Sequence, residues 1–550
     1  MRIVRVQTYA FAVVLTTGAC GSQGEDSAAG SDGATGGSDG VAAKAVAGGV
    51  ATDAGAGGVA TDAGAGGVAT DGGAGGSTAS GDASVPGQSC DEPTPWALPA
   101  SKKVVGDGTA ASCTADALSQ AVTAGGHVTF NCGDSPVTIA ISTPIQVDAE
   151  TVVDGEGKIT LDGGGTSRIF IVTNKLSVRN LSFINGKAPD DSNGGAVKGE
   201  WRSNVEVIGC TFEDNTAGTA GGAIGVWTGS SLTVVASQFR RNKSGYGGAI
   251  YSLWSPLHIV NSEFTDNSAF VDSNGGAIGT DGALDPAYRN PHDGVDTAGG
   301  TVEICGSRFQ NNEAYGAGGA AFLWVYPPDK VIIDRCTVEG NTLGKDSGGT
   351  GVALGGGMRV SNGEITIKGT SFLSNIGETH GGGLYLDCDP TCTITDSTFY
   401  SNKATDGYGG AIFGDKLRVN NVTFAKNFAK GHGGALFGGS DWVFKNTVFA
   451  DNKAGNPWGQ AYSCSATGTG DHVLQWVTDF KGVGSDPCIS NPTAADPKLA
   501  DPADNGGITF TMLPGAGSPV LGAGAGCEPV DQRGQPRDTT ACDLGAVEVP

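Results

Sequence analysis

Methionine is nearly missing from this chain, with three in 550 residues, and positive charge is scarce: 33 lysines and arginines face 57 acidic residues, a formal net charge of −24. That imbalance excludes a nucleic-acid partner, which needs a basic footprint to meet phosphate. Only 16% of residues carry charge at all. The six histidines and thirteen cysteines include no paired CxxC and no His/Cys grouping at zinc-ligand spacing, so metal use by the cysteines is not expected. No strand–turn–helix nucleophile elbow is present, and no glycine-rich loop ends in Lys-Ser/Thr. Serine-hydrolase and nucleotide-binding signatures are therefore lacking. Long apolar runs are lacking as well. What abounds is glycine, 94 residues of it, far above the usual share of about 7%.

The first twenty residues place Arg2 and Arg5 before an apolar stretch from Tyr9 to Leu15 and then small residues. That is the layout of an export signal, too short to span a bilayer permanently. Thr17-Gly18-Ala19-Cys20 resembles a bacterial lipobox, which implies lipidation of Cys20 as the mature N-terminus. Gly21 in place of aspartate favours an outer-membrane destination. Residues 21–89 are Gly, Ala, Ser, Asp and Thr with almost no large side chain, and GGVATDAGA recurs there from Gly48. Such a segment buries too little apolar surface to offset its ordering entropy, so a flexible tether is expected. Calcium-binding β-roll repeats also carry GG and Asp, but they need a large aliphatic residue where this stretch has alanine and threonine. Setting Cys20 aside leaves twelve cysteines, an even number. An oxidising compartment allows pairs close in sequence, namely Cys113–Cys132, Cys388–Cys392, Cys464–Cys488 and Cys527–Cys542.

From Phe183 a two-part phrase recurs. Its first half is Phe-x-x-Asn: FEDN (212–215), FRRN (239–242), FTDN (264–267), FQNN (309–312), FLSN (372–375), FYSN (399–402), FAKN (424–427) and FADN (449–452), with a weaker VEGN at 338–341. Its second half is a glycine pair followed by small and aliphatic residues, as in GGAI at 221, 247, 275 and 409. Copies lie mostly 25 to 29 residues apart, stretching to 45 between Phe264 and Phe309. A fixed period in this range indicates a solenoid. Short segments rich in β-branched residues, such as VEVIGCTF and LTVVASQF, read as single strands, and nothing between them is long enough for a helix. The fold class is therefore all-β: a parallel β-helix whose turns bury their faces only against one another. Phenylalanine fills the core, and asparagine is expected to sit in a turn, tolerate the left-handed region and bond along a ladder. The glycine pair takes backbone conformations closed to other residues.

Both halves recurring in phase resemble the polymorphic outer membrane protein repeat of bacterial surface proteins, over roughly residues 180–455. Two further stretches resemble the right-handed, pectate-lyase-like β-helix superfamily. One is ADALSQAVTAGGHVTFNCG (115–133) with VVDGEGKITLDGGG (152–165); residues 115–124 make a short amphipathic helix that closes the open end of the core. The other, DQRGQPRD…CDLGAVEV (531–549), resembles the closing motif of secreted choice-of-anchor Q proteins. The expected organisation is a signal peptide (1–20), a tether (21–89), an N-terminal cap with first turns (90–180), the repeat body (181–455) and C-terminal turns with a cap (456–550). The resemblance implies a surface or secreted address and no particular reaction, since this architecture hosts adhesins and polysaccharide lyases alike.

Candidate residues fall in the varying parts of the repeat. Trp201, Trp227, Trp254 and Trp324, with Tyr326 beside the last, follow the glycine pairs at similar distance. Either they form a stripe that stacks on sugar rings, or they pack beneath the insertion 279–299. Just before the pair stand Tyr246, His380, Tyr408 and His432, the last three in consecutive copies. His and Tyr suit the base and acid of a β-elimination from a uronic acid. Asp387, Asp389, Asp406 and Asp415 could hold a calcium ion that neutralises the substrate carboxylate. Asn193 and Asn274 occupy the same place in other copies, which reads equally as a polar outward position. In the insertion, Asp281, Asp285, Arg289, His292 and Asp293 lie on a long loop, where function tends to sit. The favoured expectation is a surface-exposed lipoprotein at the outer membrane, or a secreted protein, that adheres to a glycan or a surface protein without requiring a cofactor. The alternative is a polysaccharide lyase, ahead of a glycoside hydrolase with paired carboxylates.

Overall fold

The computed structural model describes residues 90–270, 273–285, 299–345, 352–439, 441–456 and 463–550. Cys20, the tether, and Arg289, His292 and Asp293 of the insertion lie outside the described residues.

Each turn of the body runs through three strands, exemplified by Asn204–Ile208, Thr211–Glu213 and Ile224–Val226. All pair in parallel with their counterparts one turn on: Val205 with Leu232, Phe212 with Phe239, Ile224 with Ile250. The result is the expected right-handed parallel β-helix. Two-residue strands such as Lys243–Ser244 follow the second strand and form a separate eight-stranded sheet among the described residues.

The phenylalanines of the second strand form one buried column. Centroid separations are 4.6 Å between Phe183 and Phe212, 4.9 Å between Phe212 and Phe239, and 5.1 Å between Phe424 and Phe449. Only Val338 interrupts the column, pairing in register between Phe309 and Phe372. Each buried ring contributes roughly 1.5–3 kcal/mol, and ring contact adds about 0.5–1.5 kcal/mol.

The asparagines line the next bend, wholly buried. Asn375 donates from both its backbone N–H and its Nδ2 to Oδ1 of Asn402, at 3.1 and 2.9 Å, and from Nδ2 to the carbonyl of Val338. The expected ladder is present, but asparagine is not the left-handed residue. That role falls to the residue before it, as in Asp214 (φ 56°), Arg241 (φ 53°) and Ser374 (φ 54°). Within the glycine pair the two members differ. The first has positive φ, as Gly318 does at 67°. The second sits against the next turn: a Cβ on Gly319 would lie 1.9 Å from the carbonyl oxygen of Gly356.

At the N-terminal end the helix Ala115–Thr123 covers the core with Leu118 and Val122, and Thr114 caps it by accepting from the Ala117 N–H. All four expected disulfides form. A fifth, Cys90–Cys305, spans 215 residues of sequence. The even count did not mean complete pairing. Cys210 and Cys336 stay as buried thiols, their pKa pushed up to about 12 by burial. Both stand in a column where serine or threonine is the commonest residue, and there Cys210 N–H donates to Ser237 Oγ and Cys336 N–H to Thr370 Oγ1. Three turns separate them, with Ser237, Ser262 and Ser307 between.

Two segments lie along the outside. Residues 90–101 cross the first sheet, where Trp96 N–H donates to Glu206 and Arg179 donates to the Trp96 carbonyl. Residues 499–550 pack against the second sheet and its corner: Ser371 Oγ donates to the Phe510 carbonyl, Gln532 accepts from Thr398, and Arg537 pairs with Asp396 at 3.0 Å. None of these contacts falls on the third sheet.

Candidate functional site

Side chains on the third strand alternate between core and exterior. Its outward column, three residues past the second glycine of each pair, reads Lys198, Gly225, Tyr251, Gly279, Phe322, Arg359, Tyr385, Phe413 and Phe437, each in register with the next. Tyr385 stacks on Phe413 at 5.1 Å, and Phe413 meets Phe437 at 5.4 Å. Where Arg359 stands in place of a ring, its guanidinium lies 5.4 Å from Phe322, 5.0 Å from Trp324 and 5.3 Å from Tyr385. The column is continuous from Phe322 to Phe437.

The residues preceding the glycine pair join this column from the side. His380 and Tyr408 are bridge partners in adjacent turns. Their rings are 5.7 Å apart, and Tyr408 lies 6.3 Å from His432, so the three do come together. Their surroundings are aromatic: His380 meets Phe413 edge-on at 4.6 Å, and Tyr408 packs on Phe437 at 4.5 Å. No hydrogen bond links His380 to Tyr408 among the described residues. His380 Nδ1 is buried without a partner, and burial holds the imidazole below its usual pKa. The patch is assembled by ring packing, with Tyr408 37% exposed at its margin.

The tryptophans do not form one stripe. Trp227 and Trp324 belong to one column, since Leu253, Asp281 and Trp324 are register partners. Trp201 and Trp254 belong to the column beside it, marked by Arg202 N–H donating to the Thr228 carbonyl and Gly229 N–H to the Trp254 carbonyl. Trp254 lies over Gly282, where a Cβ would meet its ring at 2.3 Å, and Tyr326 covers the same glycine while donating to Asp281 at 2.7 Å. Trp324 stacks with Phe322 at 6.0 Å. Trp201 is the open one, 64% exposed, with Arg202 beside its ring.

The four loop aspartates do not converge. Asp406 is ion-paired to Lys430 at 2.6 Å and Lys345 at 2.9 Å, which hold its pKa down to about 2. Asp387 and Asp415 lie near enough to Tyr385 to act on it electrostatically, and Asp389 is an exposed neighbour. Among the described residues, the one cluster with metal-ligand geometry is Cys90, Cys305 and Asp334, whose two sulfurs are joined to each other.

Phe322, Arg359, Tyr385, Phe413 and Phe437 were not among the sequence-derived candidates. Their signal was a constant offset from the glycine pair, blurred because the column mixes rings with two glycines, a lysine and an arginine.

Two family models match this architecture. Residues 287–454 match the right-handed beta helix region, and residues 209–226 match the Chlamydia polymorphic membrane protein repeat. No curated protein and no solved structure matches the chain. The second match spans one full unit, with Phe212, Asn215 and the pair Gly221-Gly222. The chain is a right-handed parallel β-helix, and one unit of its repeat is similar to the polymorphic membrane protein repeat.

Proposed function

We propose that the protein is a surface-exposed binder of linear glycans, which lie along the aromatic column of the third sheet. It is held at the outer membrane through lipidated Cys20 or released by secretion. The observation that carries the reading is the column itself: rings repeat at the turn spacing, roughly 4.8 Å, on the sheet face that neither outer segment covers. A linear polysaccharide repeats on a similar scale, so one chain can meet several turns alike. Rings at the surface give apolar contact to sugar C–H groups, while Tyr, His and Asp at the margin offer partners to hydroxyls. A membrane-protein repeat and disulfides fit an exported, surface-facing chain.

The test is affinity electrophoresis of the full-length protein in gels containing acidic and neutral polysaccharides. Phe413→Ala with Phe437→Ala is expected to weaken retention about tenfold or more, with the β-sheet circular dichroism unchanged. Retention equal to that of the parent would remove the column from the account. Ultraviolet absorbance from an unsaturated sugar product, lost in His380→Ala, would replace binding by β-elimination.

A further inference from the structure

We infer that Arg359 is the seat of an anionic group, a carboxylate or sulfate, on the chain bound to the third sheet; this rests on the glycan-binding reading above. Five arginines of the body meet carboxylates: Arg179 with Glu206, Arg241 with Asp214, Arg308 with Glu339, Arg335 with Asp334 and Arg418 with Asp441. Arg359 meets none. Its Nε donates to Ser361 Oγ at 3.2 Å, and three rings lie against its guanidinium. A chain with a net charge of −24 thus leaves this guanidinium without an ion pair and walls it with aromatic side chains.

Those walls matter chemically. Rings exclude water from the flanks of the guanidinium, and desolvation already lowers its pKa. A partly desolvated cation gains more from an anion than one in open water does. The Nε–Ser361 bond fixes the plane of the fork, leaving the two terminal nitrogens to bind a carboxylate or sulfate side-on. Ser361 itself pairs in register with Asp387, an exposed carboxylate that acts on Arg359 without forming an ion pair. Asp387 opposes an incoming anion, which gives the proposal a prediction of unusual sign.

The experiment uses the full-length protein against a polyuronate, the methyl ester of that polyuronate, dextran sulfate and dextran. Retention by the charged polymers is expected to exceed that by their neutral counterparts about tenfold or more and to fall with added salt. Arg359→Gln should abolish that preference, with the β-sheet circular dichroism of the parent showing that the variant is folded. Arg359→Lys should recover only part of it, since an ammonium lacks the planar fork. Asp387→Asn should raise retention by the charged polymers. Preference for polyuronate over dextran sulfate, or the reverse, identifies the anion. Equal retention of charged and neutral polymers, or an unchanged preference in Arg359→Gln, overturns the proposal. If the phenylalanine variants still lose retention in that case, glycan binding stands and the anion seat alone falls. If no polymer is retained, both readings fall.

Discussion

At the scale of single residues, the repeat divides its labour more finely than its consensus implies. In Phe-x-x-Asn the asparagine supplies hydrogen bonds and the residue before it supplies the left-handed bend, so the two positions should respond differently to substitution. Asn375→Ala removes an acceptor for Asn341 and two donors from a wholly buried ladder. Unmet buried groups cost about 1–3 kcal/mol each, and urea unfolding should show a loss of at least about 3 kcal/mol. Ser374→Gly, by contrast, relieves a left-handed serine and should be neutral or stabilising by up to about 1 kcal/mol. If Ser374→Gly proves as damaging as Asn375→Ala, the division is wrong. The second glycine tolerates least. Gly319→Ala would push a methyl into the Gly356 carbonyl, and a soluble, folded variant with unchanged melting temperature would contradict that packing.

At the scale of elements, the C-terminal segment is held by a buried ionic group. Arg537 pairs with Asp396 and Glu548, all with side chains at least nine-tenths buried. Burial pushes the Asp396 carboxyl up to about 7, against the opposing pull of Arg537. A folded-state pKa raised above the unfolded value contributes stability at low pH and loses it as pH rises through 7. The melting temperature should therefore fall by roughly a few degrees from pH 5 to pH 8, and Asp396→Asn should flatten that dependence. A steeper fall in the variant would refute the assignment. How such elements were foreshadowed differs. Phe212, Asn215 and Gly221 were legible because the same residue returns at the same place in nearly every turn, Val338 being the exception in the phenylalanine column. Tyr251, Arg359 and Phe437 share a place but not an identity, so a column of function hid inside a column of variation. Cys90–Cys305 had no local signal at all, because contact between residues 215 apart is created only by stacking the turns between them.

At the scale of the whole molecule, the outer segments lie on the first and second sheets, and none of the contacts that hold them there falls on the third. Residues 90–101 are fastened at Cys305, with Asn261 donating to the Cys90 carbonyl and Trp96 bonded to Arg179 and Glu206. Cys90→Ser with Cys305→Ser should expose residues 90–101 to limited proteolysis while the body from 102 onward resists. Equal resistance with and without the bond would show that the hydrogen bonds suffice.

The same bond decides where load enters the molecule. A chain pulled from upstream of Cys90 delivers its force to the turn of Cys305 through a covalent link, bypassing the turns between Lys102 and Thr301. Without that link, tension would start at the first strand and strip the turns one by one, each opened by peeling. With it, the early turns hang slack beside the line of force, and a molecule held at its third sheet, as the proposed glycan binding would hold it, bears drag without unravelling from its own N-terminus.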